Sequence, residues 1–219
     1  MIDESEKHVK DSIFLNAYLP HLIVSLSKRF NTRIIHISTD CVFSGEFFKS
    51  PYTEIDIGDG KSIYSRTKFL GEVTVSPHLT IRTSVIGPEI DPKGTQLFSW
   101  FISNKNNKSI TGFSEKIWSG VTSLELARAV SFFISSNDTG IFHLTNNKPV
   151  SKYEILCFFK EFLNANVFIE KSLENPNNKS FVDTRKLLPY KVPSYKEMIK
   201  DMIDFVRLNP DLYSHYEIY

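Results

Sequence analysis

The sequence is short of cysteine. Cys41 and Cys157 are the only two in 219 residues, too few for a disulfide framework and without the CxxC spacing of a metal site. A reducing compartment is expected, and no metal centre. Long apolar runs are lacking too: no stretch approaches about 18 uninterrupted apolar residues, and the opening MIDESEKHVKD is too charged for the apolar core of a signal peptide. The expected setting is the cytoplasm, with no membrane partner. Excess charge is also absent, since 26 Lys and Arg meet 25 Asp and Glu for a net charge of +1. Such a balance gives no overall field to hold a polyanion, which argues against nucleic acid. Finally, no GxGxxG or similar glycine-rich turn occurs anywhere in the chain. Without one, no helix N-terminus is prepared to receive the pyrophosphate of a dinucleotide.

What is present is the composition of an ordinary globular protein, 41% hydrophobic and 23% charged, with eighteen Phe. That suits one generous domain or two small ones. Residues 9 to 30 have a helical pattern, with Leu19, Leu22, Ile23, Leu26 and Phe30 at three- and four-residue steps. Pro20 removes a backbone donor and clashes one turn back, so a kink or two abutting segments are expected. Residues 33 to 40 form a short apolar run ending in Ser-Thr-Asp, the pattern of a buried parallel strand opening onto a site. A long loop follows to residue 63, then a helix to about Thr74, then a second buried strand over residues 79 to 86, closed by Gly87-Pro88. Strand, helix and strand in this order make a parallel crossover unit.

Beyond Pro88 the texture changes. Helices are expected around residues 98 to 102, over 123 to 134, from a capped start at Ser151 and Glu154 to about Leu163, and over 195 to 206. Short strands are expected at 141 to 145 and 167 to 170. The Lys- and Asn-rich stretches 104 to 108 and 175 to 179 read as solvated loops. His36, His143 and Trp118 read as packed side chains, and Cys41 has no base beside it that would make it a nucleophile.

Tyr64 and Lys68 stand four apart on the predicted helix and so share one face. A phenol with pKa near 10 is a sluggish acid-base at neutral pH, and a fixed ammonium beside it favours the phenolate. Thr39 ends the first strand, where open α/β sheets place their ligands. YxxxK alone is common on solvated helix faces; the combination with a strand-end hydroxyl gives it weight.

The segments Ile37-Ser-Thr-Asp-Cys-Val-Phe-Ser-Gly45, Tyr52-Thr-Glu54, Tyr64-Ser-Arg-Thr-Lys-Phe-Leu-Gly-Glu72 and Ile81-Arg-Thr-Ser84, with Gly87 after them, stand in an order and spacing similar to the dTDP-4-dehydrorhamnose reductase family of extended short-chain dehydrogenases. Residues 118 to 127 and 140 to 145 resemble later segments of that family. The resemblance implies an α/β fold, a partial Rossmann-like doubly wound parallel sheet with a small C-terminal substrate-binding region. Residues 1–87 would be the remnant of the cofactor domain with the catalytic residues, and 88–219 mainly the substrate region, with 139–146 returning to the sheet.

The same resemblance implies a nucleotide-sugar reductase that transfers hydride from NADPH or NADH to a 4-keto sugar. Tyr64 would be the proton donor to the sugar carbonyl, Lys68 would hold the nicotinamide ribose and tune Tyr64, and Thr39 would hydrogen-bond the carbonyl oxygen or Tyr64. Asp40, Val85 and Arg185 would touch substrate, Arg185 at the nucleotide diphosphate. Cys41 stands where the family has Tyr and Val85 where rhamnose reductases have Trp, which puts the rhamnose precursor itself in question as the sugar. Gly58-Asp-Gly-Lys61 replaces the family's proline before the catalytic helix. Met1-Ile-Asp-Glu-Ser-Glu6 matches a family segment that follows the third strand, so the first strand, the glycine turn and two further βα units are expected to be missing. A separate polypeptide supplying them is one expectation. A non-catalytic binding or regulatory subunit, as in the family's methionine adenosyltransferase relative, or an inactive remnant are the alternatives.

Overall fold

The computed structural model describes residues 2–185 and 190–218. Its centre is a three-stranded parallel sheet of order β1-β2-β7, formed by β1 (Ile35–Thr39), β2 (Leu79–Thr83) and β7 (Gly140–His143). β1 and β2 run in register, with Thr39 opposite Thr83, and Arg82 of β2 stands opposite His143 of β7. β1 forms the sheet edge among the described residues.

Strand side chains alternate between faces, and here the two faces differ in kind. Leu79, Ile81 and Phe142 lie on the face that joins the main apolar core, with Ile35 and Ile37 packed against it. There Phe142 meets Phe133 of α6 (Ser123–Ile134) with ring centroids 5.1 Å apart. The opposite face carries Ser38, Thr80, Arg82 and His143, all buried. A second polar face beneath a parallel sheet is stable only if every group on it is satisfied. Glu72 supplies the charge: its carboxylate takes both Arg82 Nε and Nη2 at 2.7 Å and the Ser38 hydroxyl at 2.7 Å. The guanidinium also lies over the Phe43 ring, 5.2 Å from its centroid, and its Nη1 is 3.3 Å from His143 Nε2.

Those contacts explain where the crossover helix stops. α4 (Ile63–Leu70) begins at Ser62, whose hydroxyl accepts from the Ser65 N–H at 3.0 Å. It ends at Leu70 rather than near Thr74, because the following residues are claimed by the sheet: Glu72 by Arg82, and Val73 by Thr80, whose hydroxyl bonds both its N–H and its carbonyl. Gly71 is required at this stop, since a Cβ there would run into the Asn16 carbonyl.

Asn16 belongs to the segment that Pro20 disturbs. α1 (Ile2–Lys7) and α2 (Val9–Ser12) lead into a π-helical turn, Ile13–Tyr18, and then α3 (Leu19–Ser27), with Pro20 in its first turn. The proline is accommodated by widening the helix before it: Leu19 N–H reaches Phe14 O, five residues back.

The predicted strand 79 to 86 is broken. β2 ends at Thr83, and the Ser84 carbonyl turns to accept from Val121 N–H at 2.9 Å. β3 (Val85–Ile86) then pairs with β6 (Val121–Thr122), next to α5 (Leu97–Asn104) in the chain. The remainder is small strands and helices: β4 (Ser109–Phe113) parallel to β9 (Phe168–Ser172), and β5 (Lys116–Trp118) between β8 (Val150–Ser151) and β10 (Asn177–Asn178). Both α7 (Lys152–Phe162) and α8 (Tyr195–Leu208) start with capping boxes, Ser151 with Glu154 and Ser194 with Glu197. α9 (Pro210–Tyr213) closes the chain. No described helix is long and apolar enough to cross a membrane.

Because Glu72 and Arg82 are about fully buried, removing one partner strands the other. Arg82→Met is expected to destabilise the fold by about 3–5 kcal/mol in denaturant unfolding, and Glu72→Met/Arg82→Met to recover much of that loss. A single variant as stable as the parent would show that the pair does not hold the sheet to α4.

Candidate functional site

A cavity of about 790 Å³ opens at the C-terminal ends of β1 and β2, within the size range of small-molecule sites. The first strand ends into it through Thr39, whose hydroxyl accepts from Cys41 N–H at 3.2 Å and donates to Asp40 Oδ1 at 3.2 Å. That bond starts a short 3₁₀ turn, Asp40–Val42, which aims Asp40 and Cys41 at the cavity wall. Tyr64 enters from the first turn of α4, held there by the Ser62 cap and by Glu6, whose carboxylate accepts from Ile63 N–H at 2.7 Å. The loop before α4 is drawn in tightly: Gly60 N–H bonds Val42 O at 2.8 Å, and a Cβ on Gly60 would crowd the Cys41 carbonyl.

The structure therefore brings Thr39, Asp40, Tyr64, Lys68 and Val85 into one cavity. The Tyr64 and Thr39 side chains both line its wall. Ser84, Gln96 and Ser123 line it as well; sequence reading placed Ser123 at the start of a helix without seeing that it faces the site. Gly87 is the sequence signal that pointed there, because a Cβ at Gly87 would collide with the Ser123 side chain.

Two of the site residues are engaged by backbone carbonyls. Lys68 shares the cavity with Tyr64. Its ammonium donates to Ile37 O at 2.9 Å, and burial pulls its own pKa below the ordinary value, with Glu72 opposing. The Tyr64 phenol is pushed above its ordinary value by burial first, then by Cys41 and Asp40, with the Thr39 hydrogen bond opposing. Arg185 is not in the cavity. Its guanidinium donates to Ile141 O at 2.9 Å, in the first half of β7, and its neighbour Thr184 is held by Glu54, whose carboxylate accepts from the Thr184 hydroxyl at 2.6 Å.

The stretch 175 to 179 also departs from the solvated loop expected of it. Asn177 and Asn178 pair with β5, and Asn177 Nδ2 donates to the Ser44 and Gly45 carbonyls at 3.1 and 3.3 Å. His143 is packed as expected: Nδ1 lies 3.0 Å from Val182 O and Nε2 near Arg82, and burial holds its pKa down to about 4 despite Glu54.

Residues 1–205 match the family described as RmlD substrate binding domain. The chain is 30% identical over 164 residues to the spore coat polysaccharide biosynthesis protein SpsK of Bacillus subtilis, a match covering 73% of this chain and 56% of the relative. It is 27% identical over 186 residues to a dTDP-4-dehydrorhamnose reductase of Aggregatibacter actinomycetemcomitans, covering 80% of this chain and 60% of that one. The chain thus spans less than two thirds of the length of these curated relatives. The crystal structure of dTDP-4-dehydrorhamnose reductase from Bacillus anthracis in complex with NADP is similar in fold, with TM-score 0.80 at 21% identity, covering 93% of this chain and 76% of that one. The Clostridium acetobutylicum orthologue gives TM-score 0.80 at 22% identity over 94% of this chain and 77% of that one.

If burial governs Tyr64, the tyrosine ¹³Cζ resonance lost in Tyr64→Phe should titrate above the ordinary value of 10.0, and Lys68→Met should leave its midpoint nearly in place. A midpoint below that value, rising in Lys68→Met, would restore the ammonium as the controlling charge.

Proposed function

Because the chain belongs to the RmlD substrate-binding-domain family, we propose that it is a nucleotide-sugar reductase, acting on a 4-keto sugar nucleotide with NADPH or NADH as the hydride source. The observation that carries the proposal is the convergence of Thr39, Tyr64 and Lys68 on one cavity at the strand ends. A packing role requires none of these three residue types at these positions.

The residues fit the nicotinamide-ribose end of such a cofactor: the Lys68 ammonium and the Tyr64 phenol share a cavity wall with Ser84 and Val85. When bound, the cofactor supplies the hydride. Everything else in the reaction falls to this chain. Tyr64, a phenol protonated at neutral pH whose pKa burial raises further, is in the state required to donate its proton to the sugar oxygen as that oxygen gains charge. Thr39 offers a hydroxyl to the same oxygen or to the phenol, and Lys68 provides positive charge one helical turn from the phenolate that remains. Asp40 and Val85 contact the sugar.

The proposal includes further polypeptide that supplies the phosphate-binding turn beside β1. Its support is the open β1 edge and the apolar side chains presented outward by Phe14, Leu15, Tyr18 and Phe30, which are 50%, 56%, 56% and 75% exposed. Exposed sheet edges and apolar patches of this kind are normally covered.

In an assembly that oxidises NADPH or NADH with a 4-keto sugar nucleotide, Tyr64→Phe should lower kcat about 10²- to 10⁴-fold, the usual cost of a lost acid-base group. Sugar-nucleotide binding should change far less, since the ring still fills its place. Thr39→Val should mainly reduce turnover, while Lys68→Ala should reduce both turnover and cofactor affinity. Undiminished turnover in Tyr64→Phe would overturn the mechanism and leave a non-catalytic binding subunit as the better account.

A further inference from the structure

Part of the wall of the cavity at the strand ends comes from the loop that follows β3. Gly87 and Pro88 line the cavity at the start of this loop, and Gln96 lines it at the end, just before α5. Residues 90 to 93 between them are exposed, so this rim has little apolar burial of its own to fix it.

Glu89 holds it instead. Its Oε2 accepts from Gln96 N–H at 2.8 Å and from the Ser99 hydroxyl at 2.6 Å, which draws the two ends of the loop together. Gly94 is needed here, because a Cβ on it would meet the Glu89 carboxylate. A third member of the cluster comes from the far end of the chain, 127 residues on. Glu89 N–H donates to the Tyr216 hydroxyl oxygen at 2.6 Å, and that hydroxyl lies 2.7 Å from Ser99 Oγ and 3.2 Å from Glu89 O.

Donor counting sets the direction of these bonds. A carboxylate only accepts, so the Ser99 proton goes to Glu89 and Ser99 Oγ is left to accept. The Tyr216 proton goes to Ser99, the nearer of its two acceptors. The result is a closed ring, from Glu89 N–H to Tyr216, from Tyr216 to Ser99, and from Ser99 to the Glu89 carboxylate. Hydrogen bonds to a charged acceptor are the stronger kind, and each donor in such a chain polarises the next.

Tyr216 is well anchored for this role. It is buried, with its ring edge-on to Phe98 of α5 at 5.3 Å between centroids and stacked on Tyr213 at 6.1 Å. Lys105, just past the other end of α5, reaches the Tyr216 and Glu217 carbonyls at 3.5 Å. Filling this space requires a ring and no hydroxyl. Beside the rim there is room to move: a hollow of about 200 Å³ shares Pro88 and Ser123 with the cavity and is walled by Met202, Phe205 and Tyr213 from α8 and α9.

We propose that Tyr216 is a positioning residue for the cavity: through the ring with Ser99 and Glu89, the C-terminal turn holds Pro88 and Gln96 at the wall, so the last residues of the chain shape the site without touching its ligand. The consequence for a sugar rests on the reading of the cavity as a nucleotide-sugar site, whereas the hold on the rim does not.

The test is residue-resolved amide hydrogen exchange on the full chain and its Tyr216→Phe variant, which keeps the ring and removes the hydroxyl. The Glu89 amide should exchange about 5- to 100-fold faster than in the parent, the usual effect of leaving one buried partner unmade. Gln96 should accelerate less, and the Ile81 amide of β2 should keep its parental rate. Ser99→Ala opens the ring at a second point and should accelerate the same two amides, so the outcome does not depend on one variant folding. Parental exchange at Glu89 in the folded variants, or one acceleration shared equally by Glu89 and Ile81, would overturn the hold on the rim. In an assembly that turns over, Tyr216→Phe should raise KM for the sugar nucleotide about tenfold and change kcat far less, the pattern of lost binding. An unchanged KM would overturn the part of Tyr216 in the site. A chain that shows the exchange changes and reduces no sugar keeps the rim assignment and loses the reductase, so the two readings fail separately.

Discussion

The buried ion pair between Glu72 and Arg82 is the constraint on which the rest of the site depends. Side-chain exposures of 3% and 1% leave almost no solvent to stabilise either charge, and a buried pair repays its desolvation only when the geometry is good and the remaining lone pairs and protons are satisfied. Both conditions are met by two parallel N–H···O contacts, by the Ser38 hydroxyl on the same carboxylate oxygen, and by the Phe43 face under the guanidinium. The His143 imidazole completes the arrangement as a neutral acceptor. Val182 O fixes the proton on Nδ1, leaving Nε2 to receive an Arg82 N–H. One polar cluster thus ties all three strands to the end of α4 and to the loop after β1.

The chemistry sits one residue further along each strand. Thr39 follows Ser38 and Thr83 follows Arg82, so the cavity floor is registered by the same bonds that satisfy the ion pair. Tyr64 lies at the opposite end of α4 from Glu72, so anchoring the end of that short helix also sets where its first turn enters the cavity. The Tyr64 phenol is protonated at neutral pH, burial raises its pKa further, and that proton is what the proposed reduction consumes. This differs from the simple view of the Tyr and Lys pair as a pre-formed phenolate, and the difference comes from the burial of the Tyr64 phenol.

Much of this was legible in the sequence. Pattern located β1, α4, β2, α6, α7 and α8, helped by the capped starts at Thr122 and Ser151, each of which accepts from the N–H three residues on, while the caps at Ser62 and Ser194 went unread. Boundaries failed where tertiary contacts overrode local preference. α4 stopped early because Val73 belongs to Thr80, and the second strand broke because the Ser84 carbonyl belongs to Val121. Strands of two or three residues, such as β5, β8 and β10, have no period to detect. Arg185 could be named only by its chemistry, and the structure sets one of its donors against the Ile141 carbonyl, away from the cavity lining.

The side chains around the reacting centre bear on which sugar fits. Cys41 and Val85, two small side chains, both line the cavity. Sugars gain little from apolar burial alone and depend on oriented hydroxyl contacts. In this cavity those contacts are available from Asp40, Ser84, Gln96 and Ser123. Of these only Asp40 carries charge. A sugar bound as proposed would meet donors and acceptors on a polar wall. Selectivity in such a site is set by which hydroxyls are left unpaired in the wrong sugar, because an unmatched buried polar group costs more than a lost apolar contact.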